Sequence, residues 1–122
     1  MNLTELLDQA ATCWPLKPAL IEEGNSLSYA DLLENIAQAG SRLRAIGLSP
    51  GTRVGLFCPN SINYVVFTFA LWRVNAVVVP IPTECTREEL ERLPPQCSCR
   101  EYSATNRSAK TDRWDRAVIL AA

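Results

Sequence analysis

The residues most able to do chemistry in this chain are its thiols. Cys97-Ser98-Cys99 sets two such side chains one residue apart, and Cys85 is the nearest other cysteine. Zinc sites ordinarily draw on four ligands with C-x-x-C spacing. The sequence holds no histidine to complete such a set, so the group falls short of a metal centre. The same lack of histidine removes the commonest general base and the Ser-His and Cys-His nucleophile pairings. Gly51-Thr52-Arg53-Val54-Gly55 is the closest approach to a phosphate loop. It has neither the lysine nor the following helix that such a loop needs, and Gly51 after Pro50 reads as a turn residue. Glu88, Glu89, Glu91 and Arg92 read as the solvated face of a short helix rather than as paired catalytic acids. Cys58, in an apolar run, reads as a small buried hydrophobe. The helix expected after Ser61 offers an anion-accepting N-terminus, as nearly every helix does. These residues assign no catalytic, cofactor-binding or metal-binding position.

The elements around them are clearer. Val54 to Cys58 reads as a strand, Pro59-Asn60-Ser61 as turn and helix cap, and the apolar stretch that follows as a helix. A second strand, Ala76 to Val79, is expected to stop at Pro80 and Pro82. Two strands joined through a helix should be parallel, and parallel strands are normally covered on both faces. Tyr64, Phe67, Phe69 and Trp72 lie on the intervening helix and are expected between layers. Asn75 stands where a residue tolerant of positive φ is needed.

Upstream, Leu3, Leu6, Leu7, Ala10 and Ala11 recur at helical spacing, with Asn2 or Thr4 able to cap. Ala19-Leu20-Ile21 and Ser26-Leu27-Ser28 flank Glu23-Gly24-Asn25 as a hairpin. Ser28 then caps a helix whose apolar face is Leu32, Leu33, Ile36, Ala37, Gly40, Leu43 and Ile46, and Gly47 ends it. Thr86-Arg87-Glu88-Glu89 is a capping box opening a last helix, with Leu90 and Leu93 facing inward. Past Pro94-Pro95 the sequence turns polar and weakly periodic, with Cys97, Cys99 and Tyr102 as a weak strand. It closes on the apolar run Ala117 to Ala122, which reads either as a buried strand or as a frayed tail. This divides the chain into a layered unit over residues 1–93 and a divergent or poorly ordered tail over 94–122.

A chain of 122 residues supports one modest domain. A net charge of -1 argues against nucleic acid as a partner. Glu5 and Asp8 in the first residues are unlike a secretory signal, and five scattered cysteines suit reduced thiols, so a cytoplasmic location is expected. The apolar window from Ile62 to Val79 contains Arg73 and Asn75 and ends at prolines, which disfavours a membrane span.

Several short matches in order carry a resemblance. They are Lys17-Pro18-Ala19-Leu20, Leu27 to Leu32, Leu43 to Val54, Pro59-Asn60-Ser61 and Asn75 to Pro82. Together, over residues 3 to about 93, the chain resembles the N-terminal part of the adenylate-forming (AMP-binding) enzymes, which include acyl-CoA synthetases. The resemblance implies an α/β fold: an incomplete layered domain with a parallel β-α-β unit and flanking helices, the N-terminal portion of the family's large domain. Family enzymes use ATP and magnesium to turn a carboxylic acid into an acyl-adenylate and pass it to a thiol, commonly that of CoA. Their Ser/Thr/Gly-rich phosphate loop, nucleotide-binding acids and catalytic lysine have no counterpart in this sequence. The chain is therefore expected to be a truncated or N-terminal piece of an acid-thiol ligase, inactive alone and without a cofactor of its own. ATP, magnesium and CoA are expected only for the whole enzyme. Its expected partner is the remainder of a split synthetase, or a second copy met through an open sheet edge. The alternative is a non-enzymatic interaction module on the same scaffold. Asn75 where the family usually has glycine, and Thr52 where it often has aspartate, depart from the pattern.

Overall fold

A computed structural model describes residues 2–86, 88, 89, 92, 100–103 and 117–121, the last two stretches by backbone alone. Helix α1 (Leu3–Cys13) starts at Asn2, whose side chain accepts from the Glu5 amide while Glu5 reaches back to the Asn2 amide. Strands β1 (Pro18–Glu22) and β2 (Asn25–Ser28) form an antiparallel hairpin. Its turn puts Glu23 at φ 43° and Gly24 at φ 84°, the double positive φ that matches the twist of the flanking strands. Ser28 Oγ accepts from the Asp31 amide and opens α2 (Tyr29–Ala45).

Strand β3 (Arg53–Phe57), helix α3 (Ile62–Arg73) and strand β4 (Val77–Ile81) make the expected parallel unit, with Val54 opposite Val78. Asn75 takes φ 58° between α3 and β4. Beyond residue 93 lie β5 (Arg100–Ser103) and β6 (Ala117–Ala121), so the terminal apolar run forms a strand. The four-stranded sheet has the order β4-β3-β6-β5, and all its pairs are parallel.

The core lies between this sheet and the helices. Leu32, Ile36, Ala39 and Leu43 of α2, Val66, Ala70 and Leu71 of α3, and Val54 and Leu56 of β3 form one buried cluster that Leu7 of α1 joins. Leu20 and Leu27 of the hairpin pack against it from the side. One side of the β3–β4 pair is thus packed against the helical layer.

Several sequence expectations shift. β4 does not stop at Val79; it runs through Pro80 to Ile81. The Val77 amide donates to the Thr52 carbonyl at 2.8 Å, so alternate residues of β4 turn their backbone groups toward β3. Pro80 falls on the opposite parity, at a sheet edge, where its missing N–H costs no ladder bond. β3 ends at Phe57, with Cys58 buried just beyond it. On α1, Leu7 and Ala11 are buried but Leu3 and Leu6 are exposed, because only one narrow stripe meets α2 and α3. On α2, Ala39 replaces Ala37 in the core, and Ile46, past the helical turns, is exposed. Tyr64, Phe67 and Phe69 are partly buried against the core, whereas Trp72 is exposed and meets Phe69 edge-on at 5.3 Å.

Candidate functional site

Strand alternation divides the β3–β4 pair into two faces. Val54, Leu56 and Val78 turn to the helices. Val77, Val79 and Phe57 alternate to the other side, and there Val77 is 48% exposed while Val79 and Phe57 are half-buried. Ile81 on that side is buried. The expectation that the valine run is covered above and below is therefore met in part: on the far side Val77 is open, Val79 and Phe57 are half-buried, and Gly55 and Ile81 are buried. A strand with β-branched residues on both faces is built to be sandwiched, so the opening at Val77 is the feature that asks for a function.

The helix terminus singled out in the sequence is already filled. Ser61 Oγ accepts from the Tyr64 amide at 3.2 Å. The first helical amide, Ile62 N–H, donates to Glu22 Oε2 at 3.2 Å. Glu22 comes from the end of β1, so a carboxylate of the chain itself occupies the positive end of α3. An external phosphate would have to displace it. Nothing in the sequence around Ser61 marks this long-range cap. The nearby Cys58 sulfur lies 3.4 Å from the Pro59 carbonyl oxygen and 3.7 Å from Ser61 Oγ. It is a free thiol, buried against the helix start.

Gly51 sits at φ 81° and donates its amide to the Asn75 carbonyl at 2.8 Å. The turn runs directly into β3 and leads to no helix terminus, so it is a brace between the starts of the two strands. Thr86 and Glu89 form the expected capping box: Glu89 Oε2 accepts from the Thr86 amide at 2.8 Å and Thr86 Oγ1 from the Glu89 amide at 3.3 Å. Glu88, Glu89 and Arg92 are exposed. Leu90, Glu91, Leu93, Cys97 and Cys99 lie outside the described residues. Arg73 of α3 pairs with Asp8 of α1, tying the first helix to the layer. Among the described residues, no group of three or more His, Cys, Asp or Glu side chains is placed to hold a metal ion. No helix among them is long and apolar enough to cross a membrane. Among the described residues, the sequence candidates fall into separate structural roles, namely a filled helix cap, a strand brace and an exposed capping box, and none of these is gathered into a reaction centre.

Comparison with known proteins gives this arrangement a context. Residues 7–117 match the family described as AMP-binding enzyme. A salicyl-AMP ligase / salicyl-S-ArCP synthetase of Mycobacterium tuberculosis is 37% identical over 83 residues, covering 64% of this chain and 15% of the relative. A mitochondrial medium-chain acyl-CoA ligase of Rattus norvegicus is 33% identical over 98 residues, 79% of this chain and 16% of the relative. Among solved structures, the Klebsiella oxytoca NpsA N-terminal subdomain, in complex with 3-hydroxyanthranilyl-AMSN, superposes with a TM-score of 0.78 at 20% identity, over 98% of this chain and 29% of that one. A Mycobacterium tuberculosis fatty acyl CoA synthetase gives a TM-score of 0.75 at 27% identity, over 84% and 21%. The chain thus spans only 15% to 16% of the two curated relatives above.

Proposed function

The chain belongs to the AMP-binding enzyme family, and from that premise we propose that it is the scaffold-forming first segment of an ATP-dependent acid-thiol ligase. The whole enzyme would activate a carboxylic acid as its acyl-adenylate and hand it to a thiol. In this reading the segment supplies one layered wall of the large domain and none of the reacting groups. The observation that carries it is the uneven cover of the β3–β4 pair: Val54 and its cross-strand partner Val78 pack against the helices, while Val77, the next residue of β4, is 48% exposed. A wall left partly open at Val77 suits a place in a larger layered body.

In this reading ATP, magnesium and CoA belong to the whole enzyme, and the described residues form no phosphate loop. Glu22 fills the start of α3, the Gly51 turn leads into a strand, and the sequence has no histidine and no Gly-rich loop followed by a helix. No step of the ligase reaction is therefore assigned to a residue of this chain, and the segment is expected to be inactive alone. ATP–pyrophosphate exchange with a panel of fatty and aromatic acids tests this, and turnover by the purified 122-residue chain would overturn it. A complementary test co-expresses the chain with a related ligase shortened by its matching first segment. Recovery of soluble, active complex supports the scaffold role, and failure to associate counts against it.

A second reading uses the same opening at Val77: a non-enzymatic module that docks to a partner protein in the cytoplasm. The two separate on activity, since a docking module would bind an intact ligase without restoring a shortened one.

A further inference from the structure

We draw no further inference here: the strongest candidate, the uncovered face of strand β4 where Val77 stands exposed beside Val79, belongs to the site already described, and nothing in the structure shows what else covers it.

Discussion

The carboxylate of Glu22 accepts the amide of Ile62 at 3.2 Å across 40 positions of sequence. That bond fastens the β1–β2 hairpin to the start of α3, while Ser61 serves the amide of Tyr64 two residues further on. Two different orphan donors of one helix end are thus met by two acceptors from different parts of the chain. The hairpin is thereby made part of the helical layer.

The first prediction concerns that shared terminus. Glu22→Ala should cost about 1 kcal/mol, and Ser61→Ala a similar amount, as for other N-terminal caps. Glu22→Gln, which keeps an acceptor oxygen but loses the charge near the helix end, should lie between wild type and Glu22→Ala. Urea denaturation of the three variants checks the order. Equal stability of Glu22→Ala and wild type would mean that the bond adds nothing.

Much of this arrangement is legible in the sequence wherever the signal is local. Asn2, Ser28, Ser61 and Thr86 each cap the turn that follows, because a side-chain oxygen needs only the next few amides to act. Asn75 and Gly47 mark positive φ by residue type alone. Long-range relations leave no such trace. Nothing near Glu22 shows that it caps a helix formed much later, and a proline reads as a strand stop until its edge position is known. Val77 and Val78 are chemically identical, and only the sheet decides that one meets the helices and the other does not.

Backbone strain gives the second prediction. No atom lies within 4 Å of a Cβ built on Gly51, so Gly51→Ala would clash with nothing, yet φ is 81°. Its cost is therefore conformational, about 1–2 kcal/mol. Asn75 at φ 58° carries a smaller penalty of the same kind, and Asn75→Gly should stabilise by up to about 1 kcal/mol. Opposite shifts in melting temperature for the two variants are the expected outcome. A stabilising Gly51→Ala would contradict the left-handed turn.

Core truncation separates the layers. Leu56, Ile36 and Leu71 are wholly buried, so changing any one to Ala should cost about 2–5 kcal/mol, a large part of what a domain of this size possesses. Ile21 on the hairpin is 75% exposed, and Ile21→Ala should stay within about 0.5 kcal/mol of wild type. Circular dichroism during denaturant titration distinguishes the two classes.

Edge chemistry supplies a fourth test. Pro80 stands on the outward parity of an edge strand, where an ordinary residue would present a free N–H to another chain. Pro80→Val should keep the parallel pairing to β3 and increase self-association, read as a concentration-dependent rise in sedimentation coefficient. An unchanged monomer population would show that the proline does not guard this edge.

The opening at Val77 gives the sharpest contrast, because neighbouring residues of one strand should respond in opposite ways. Lysine at position 78 would be driven into the helical layer, where an unpaired charge is costly, so Val78→Lys should unfold the chain or cost about 2 kcal/mol or more. Lysine at position 77 would enter solvent. Val77→Lys should leave stability within about 0.5 kcal/mol of wild type, lower the binding of a hydrophobic surface dye, and abolish association with a ligase lacking its matching segment. The combination matters more than any one reading: intact folding with lost association is what a wall built to receive a second layer requires. If Val77→Lys were as destabilising as Val78→Lys, both sides of β4 would be covered within this chain, and the asymmetry behind the scaffold role would not exist.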